Sequence, residues 1–258
     1  MPVLIGHSHP GWSDFARTGP RSRTLADVNK FRFVGVILAI VVMVFVIGSL
    51  VVVALTQTTH QTQTFAGPIS KIIVTTDRGA VTVRGGSGAG VTVHVDKRYV
   101  ITGSDVSESV SNGVLSVLAN CPMMAFISCS ANFTITAPPH TNIQATAQRG
   151  LLTVAGMTGP VYSNSENGSF VLDGPTPSVT AYSLEGSISV NLTTAPTLVH
   201  VRSETGGVTV IVPASTYAIT ANSGVGTTSV EGLVSHPQAS RTIYASSGSG
   251  KTVVRAGG

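Results

Sequence analysis

One short phrase recurs along most of this chain: a glycine, any residue, an apolar residue, any residue and a second apolar residue. From Gly150 onward the glycines of successive copies are 18, 18, 20, 20 and 24 residues apart, and two earlier intervals of 34 and 37 residues would fit two copies each. A repeat of this length is typical of stacked structural units. The glycines are Gly79, Gly113, Gly150, Gly168, Gly186, Gly206, Gly226 and Gly250, the last two opening the weakest copies.

The phrase predicts a turn followed by a short strand. Two apolar residues at i and i+2 leave a strand on the same face, and a glycine before them permits a positive φ or a close backbone approach. Two strands and two turns would make one coil, and stacked coils would bury a continuous apolar column. We therefore predict an all-β fold, a parallel β-solenoid, in which Phe170 and Ile188 share one inward column. The alternative is an antiparallel sandwich, which the same alternation permits.

An apolar run of 23 residues, from Phe33 to Leu55, contains no charged side chain. As a helix it would extend roughly 34 Å, enough to cross a hydrocarbon core of about 30 Å. A cleaved signal peptide is the alternative, but its apolar region would be shorter, about 7–15 residues. We predict a single transmembrane α-helix.

The charges that flank the run predict its direction. Lys30 and Arg32 precede it, whereas residues 56–70 carry neither lysine nor arginine. The positive-inside rule therefore places the N-terminus in the cytoplasm and the large domain outside. The predicted organisation is a cytoplasmic basic tail (1–32), a transmembrane helix (33–55), a polar linker (56–70) and an extracytoplasmic domain (71–258).

The net charge of +4 belongs mainly to the tail, where five basic side chains face two acidic ones. Residues 33–258 hold ten basic and nine acidic side chains, so the large domain is nearly neutral. A basic face for nucleic acid is therefore not expected.

Only 10% of all residues are charged, well below the roughly 25% of an average soluble domain.

Cys121 and Cys129 are the two cysteines of the chain. Two cysteines in an exported domain are expected to pair, so we predict a disulfide. No neighbouring histidine or second cysteine pair supplies the four ligands of a structural zinc site.

The glycine phrase after an N-terminal anchor resembles the bacterial putative-adhesin domain, a β-solenoid family also called toast-rack-like. The resemblance covers roughly residues 70–258. It implies a domain that faces the cell envelope, is linked to adhesion or envelope stress, and has no agreed biochemical activity. The insertion between Cys121 and Cys129 departs from the simple repeat.

Three short motifs could suggest a cofactor or a metal. Residues 245–252 match a relaxed phosphate-binding loop, but no helix can follow Lys251 in the few residues that remain. Residues 85–90 resemble a dinucleotide loop, yet an alternating strand pattern follows them. His7 and His9 alone rarely form a metal site. We expect no cofactor and no bound metal.

Glu166 and Glu204 each lie two positions before a repeat glycine, so they would be two coils apart, about 10 Å at the usual strand spacing. Inverting glycosidases need carboxylates about 6.5–9.5 Å apart. Few aromatic side chains are available to stack on a sugar, so the alternative is a solvated outer face.

Three function classes follow, and the first is expected. It is a non-catalytic interaction module that contacts a cell-wall polymer or an envelope or membrane protein. The second is an envelope-stress sensor that signals through the cytoplasmic tail. The third is a solenoid carbohydrate-active enzyme. The oligomeric state does not follow from the sequence.

The predicted topology can be tested by proteolysis. A protease added to intact, wall-stripped cells should degrade residues 71–258 and spare the basic tail, because only the large domain would be outside. Immunoblots against each end of the chain would measure this. Protection of the large domain would contradict the assignment.

Overall fold

The structure, a computed structural model, describes residues 25–55, 57–100, 103–122 and 129–257. The chain divides into two compact units, Met1–Val53 and Ala54–Gly258. The first contains most of one helix, and the second contains all the strands.

Helix α1 extends over Leu25–Leu55 and so begins eight residues before the predicted span. Apolar side chains dominate it, and the Ser49 hydroxyl donates to the Phe45 carbonyl within the helix at 2.7 Å. Among the residues with a described placement, no helix reaches the length and hydropathy that crossing a membrane requires. The predicted transmembrane helix is therefore not confirmed.

Two large sheets make up the second unit. Sheet A has the strand order β1-β4-β7-β3-β9-β11-β13-β15-β19-β17, and sheet B has the order β16-β18-β14-β12-β10-β8-β2-β6-β5. The described strands are β1 (Gln57–Phe65), β2 (Lys71–Arg78), β3 (Val81–Gly85), β4 (Val91–Tyr99), β5 (Asp105–Ser111), β6 (Val114–Asn120), β7 (Cys129–Ala137), β8 (Asn142–Arg149), β9 (Leu152–Ala155), β10 (Val161–Asn167), β11 (Phe170–Gly174), β12 (Ser178–Glu185), β13 (Ile188–Leu192), β14 (Leu198–Thr205), β15 (Val208–Val212), β16 (Ala218–Val225), β17 (Thr228–Glu231), β18 (Thr242–Ser249) and β19 (Thr252–Ala256).

From β8 to β15, successive strands alternate between the two sheets and pair in parallel with the strands of the next coil. Phe170 pairs with Ile188, and each side chain is 1% exposed, so the predicted inward column is present. One hydrophobic core takes residues from both sheets. The predicted all-β architecture is present, and the strands of this stretch stack in parallel as predicted. An antiparallel sandwich, the alternative, does not describe this stretch.

The stacking order departs from the chain order at both ends. The coil β18–β19 lies between β14–β15 and β16–β17, and the coil β2–β3 lies between β6–β7 and β8–β9. Gly226 therefore stacks on Gly250 and not on Gly206. The expectation of coils stacked in sequence order holds only in the middle of the domain.

Three antiparallel pairings also depart from a simple parallel stack: β1 with β4, β4 with β7, and β5 with β6. Most of the predicted polar linker forms β1, an edge strand of sheet A. Threonine favours extended backbone, and the pairing with β4 gives the backbone groups of this polar segment their partners. Residues 57–65 are therefore part of the sheet.

Gly113 lies in a hairpin turn within sheet B, and not in a corner that joins the two sheets. Asn112 and Gly113 form a two-residue hairpin between β5 and β6, with φ values of 50° and 73°. Positive φ at both residues is what a tight hairpin of this hand requires. Leu115 and Val117 of the same phrase are buried, but they lie in sheet B.

The other seven repeat glycines each open a two-residue corner that joins a strand of sheet B to the next strand of sheet A. The hydrogen-bond ladder continues through the corners: the Gly206 amide donates to the Ser249 carbonyl at 2.9 Å, and the Val208 amide donates to the Lys251 carbonyl at 2.8 Å. The polypeptide therefore turns without leaving backbone groups unpaired at these points.

Close stacking explains why these corners use glycine. A Cβ atom on Gly206 would lie 2.3 Å from the carbonyl oxygen of Gly186, and its φ of 146° already disfavours other residues. Gly168 has no such φ, but a Cβ atom there would lie 1.9 Å from the Gly150 oxygen. The need for glycine at position 168 is thus a matter of space, not of a positive φ.

Four of the corner glycines are preceded, three positions earlier, by a serine whose hydroxyl donates to the corner glycine of the neighbouring coil. The hydroxyls of Ser183 and Ser203 are buried and donate to the carbonyls of Gly168 and Gly186 at 2.9 and 2.7 Å. Ser247 and Ser223 do the same to Gly206 and Gly250 at 2.8 and 2.7 Å. This Ser-x-x-Gly pattern recurs with the repeat and was not recognised from the sequence.

A disulfide between Cys121 and Cys129 closes the corner from β6 to β7, with a Cα–Cα distance of 5.9 Å. The Cys121 amide donates to the Asp77 carboxylate at 2.9 Å. The bridge confirms the predicted pairing. The disulfide thus links the end of β6 to the start of β7. At the other corners between the sheets, a glycine and one further residue make this connection.

The adjacent glycines 206 and 207 provide a matched test of the corner. Gly206→Ala should lower the free energy of unfolding by about 2 kcal/mol or more, because it forces a strained φ and a backbone clash. Gly207→Ala should change it by less than about 1 kcal/mol, since a Cβ there meets its nearest atom at 3.5 Å. Urea melts of the full-length chain would measure both. Equal losses would contradict the stacking.

Removing the disulfide should also weaken the fold. Cys129→Ser should cost about 2–3 kcal/mol, because the reduced chain regains the entropy of a short loop. Non-reducing peptide mass spectrometry of the unaltered chain should show the 121–129 link, and urea melts should show the loss. A freely alkylated thiol in the unaltered chain would contradict the bridge.

Candidate binding face

The outer surface of sheet B collects side chains of similar chemistry from four neighbouring coils. Parallel pairing without a shift places residues at equal distances from the corner glycine in one column across the strands. The column six residues before the glycine contains Tyr162, Thr180, His200 and Tyr244. The next column, four residues before it, contains Asn164, Tyr182, Arg202 and Ser246. We call these two columns the binding face.

Aromatic rings are concentrated on this face. Three of the five tyrosines of the chain lie here, on β10, β12 and β18. Tyr162 is 43% exposed, and His200 is also exposed. The rings of His200 and Tyr244 meet edge to face, with centroids 4.7 Å apart. This contact orients both rings and leaves aromatic surface available to a ligand.

Arg202 and Glu204 form an ion pair beside the tyrosines. The Arg202 Nε and Nη2 atoms lie 2.8 and 2.7 Å from Glu204 Oε1. The Tyr182 hydroxyl donates to the same oxygen at 3.5 Å. The hydrogen bond to Glu204 raises the pKa of the Arg202 guanidinium further above its ordinary value. The same contact keeps the guanidinium beside Tyr182, its partner on the neighbouring strand.

Such a surface can hold a ligand by stacking and by hydrogen bonds. Tyrosine presents an apolar ring and a polar tip, and tyrosine and arginine dominate the energetics of many binding surfaces. Neighbouring strands lie about 4.8 Å apart, so equivalent groups recur at that spacing along the stack. The arrangement suits an extended ligand better than a small molecule, which would bind in a concave pocket.

The carboxylates that were considered for glycoside hydrolysis lie on the same outer surface. Glu166 on β10 and Glu204 on β14 lie in one column two strands apart. Glu204 Oε1 already accepts hydrogen bonds from the Arg202 guanidinium and the Tyr182 hydroxyl. A general acid must instead direct a proton at the leaving group, so this arrangement does not favour the role.

The glycine-rich motifs have structural positions. Residues 245–252 form the end of β18, a corner and the start of β19. Residues 85–90 connect β3 to β4, and the Gly86 amide donates to the Ala137 carbonyl at 2.8 Å. Part of this loop borders a cavity of 650 Å³, whose other walls are residues 67–70 and 138–140. His7 and His9 lie outside the described residues.

The low aromatic content of the chain concealed the alignment of these side chains on one surface. The signal was available: Tyr162, His200 and Tyr244 each precede a repeat glycine by six residues. Reading it also requires the true stacking order, because Tyr244 is 44 residues from His200 in the chain but pairs with it directly.

No family model matches the chain, and no curated protein matches it. Among solved structures, it is similar to a putative cell adhesion protein from Clostridium sporogenes, with 11% identity, a TM-score of 0.42, and 78% of this chain and 100% of the other covered. It is also similar to a putative adhesin from Bacteroides fragilis, with 13% identity, a TM-score of 0.45, and coverages of 77% and 97%. At these identities and TM-scores, neither likeness transfers a property to this chain.

Proposed function

We propose that this chain is a non-catalytic interaction module that binds an extended polar polymer of the cell envelope, such as a glycan strand, through the binding face. The alignment of three tyrosines, a histidine and an arginine on neighbouring strands carries this proposal. In a chain with so few aromatic residues, their concentration on one outer surface is the strongest chemical feature of the domain.

A glycan strand fits the chemistry of the face. Sugar rings offer apolar faces that stack on tyrosine, and their hydroxyls pair with amide, imidazole and carboxylate groups. Asn164, His200 and Glu204 supply such groups next to the rings. A face that repeats these pairs from coil to coil would bind a ligand with its own repeating unit at several points, and weak contacts would add up along the polymer.

We further propose that the module is anchored in a bacterial membrane by residues 33–55 and faces away from the cytoplasm. The uncharged apolar run and the basic residues before it support this topology. The disulfide between Cys121 and Cys129 also supports it, because such bonds persist in oxidising compartments outside the cytoplasm.

Co-sedimentation of the purified full-length chain with bacterial cell-wall sacculi would test the proposed ligand. The double variant Tyr182→Ala, Tyr244→Ala should weaken binding at least about tenfold, equivalent to about 1.4 kcal/mol, because two stacking rings are lost. Val171→Ala, on an exposed site of sheet A, is the control and should bind like the unaltered chain.

Two results would contradict the proposal. One is full binding by the double variant; the other is no binding by the unaltered chain. Release of soluble sugar from the sacculi would contradict the non-catalytic assignment, and Glu204→Gln would then show whether that carboxylate is required. Urea midpoints of all variants would show that the domain remains folded.

A further inference from the structure

The antiparallel pairing of β1 with β4 brings two histidines and an aspartate together on the outer surface of sheet A. The register pairs His60 with Asp96 and Thr62 with His94. One ligand atom from each of His60, His94 and Asp96 can be chosen so that all lie within 4.8 Å of one another. None of these residues belongs to the binding face, and His60 lies in the segment predicted to be a linker, whereas His94 and Asp96 lie on β4.

The three side chains converge on one carboxylate oxygen. The His60 Nδ1 atom contacts Asp96 Oδ1, and the His94 Nε2 atom lies 3.1 Å from the same oxygen. The two imidazole rings are nearly parallel, at 13°, with centroids 6.2 Å apart. The donor groups therefore already point toward a common centre, and small side-chain rotations would place a cation among them.

A fourth side chain orients one of the ligands. The Thr62 hydroxyl lies 2.6 Å from His94 Nδ1. When that nitrogen donates its proton to Thr62, the Nε2 atom presents its lone pair to the cluster. Hydrogen bonding of the second ring nitrogen is the usual way in which proteins orient a metal-binding histidine.

We propose that His60, His94 and Asp96 form a site for a divalent transition metal of the zinc class. Two imidazole nitrogens and one carboxylate oxygen are ligands that zinc binds in three-ligand sites, with a fourth position open to water. Oxygen-only sites suit Mg²⁺ and Ca²⁺ better. The bound metal would join the edge strand β1 to β4 across 36 residues of sequence and so stabilise the start of the domain.

Equilibrium dialysis of the full-length chain against Zn²⁺ would test the site. The unaltered chain should bind one ion more tightly than His60→Ala or Asp96→Asn. Each of these variants should lose at least about tenfold in affinity, since even the loss of a partner that only orients a ligand costs about 10–100-fold. Thr62→Val should have a smaller effect. Zn²⁺ should raise the thermal midpoint of the unaltered chain, because it would bind only the folded state.

Two controls separate this site from other histidines. His200→Ala, on sheet B, and the double variant His7→Ala, His9→Ala should bind Zn²⁺ like the unaltered chain. Loss of binding in either control would assign the ion elsewhere and overturn the proposal. Equal binding by His60→Ala and the unaltered chain, or no binding by the unaltered chain, would also overturn it. Circular dichroism spectra should match across the variants, because His60 is largely exposed.

Discussion

Close stacking of backbone at the glycine corners is the constraint on which the rest of the domain depends. At each corner the polypeptide passes from one sheet to the other in two residues, and the carbonyl of one glycine lies where a side chain on the next would have to be. Hydroxyls of the buried serines Ser183, Ser203 and Ser247 donate to three of these carbonyls. A backbone carbonyl buried without a partner is costly, so the serine and the glycine stabilise the same point in different ways.

The regular corners determine what the outer surfaces can present. Because the glycine corners all have the same length, neighbouring strands of sheet B pair without a shift, and residues at one repeat position form a straight column. Inward positions are filled mainly by apolar side chains and small serines, whereas the packing restricts the outward positions less. The binding face is therefore a chemical pattern carried by positions that the fold does not restrict, which is why a functional role is the better explanation for its tyrosines.

The first part of the domain uses long-range antiparallel pairing that the repeat does not describe. There β1 and β4 extend sheet A, the disulfide replaces a glycine corner, and a hairpin adds β5 to sheet B. Edge strands expose unpaired backbone groups and need other means of protection. A cross-strand cluster such as His60, His94 and Asp96 is well placed to hold an edge strand. The proposed metal site and the binding face thus lie on different sheets and depend on different features of the fold.

The sequence by itself determined the repeated strands, their glycine corners and the disulfide, because the first two follow from local spacing and the third from a single pair of cysteines. Phe170 and Ile188 could be paired from an 18-residue interval alone, but the phrase at Gly113 does not distinguish a corner between sheets from the Asn-Gly hairpin that forms there. Only the tertiary structure decided the order of the last two coils, because Ile219 and Val230 match Ile243 and Val254 at equivalent inward positions. The local sequence pattern cannot predict which of two coils with the same inward residues stacks on β14–β15. The tertiary structure likewise brought His60 to Asp96, since a pairing between distant strands leaves no periodic trace in the sequence.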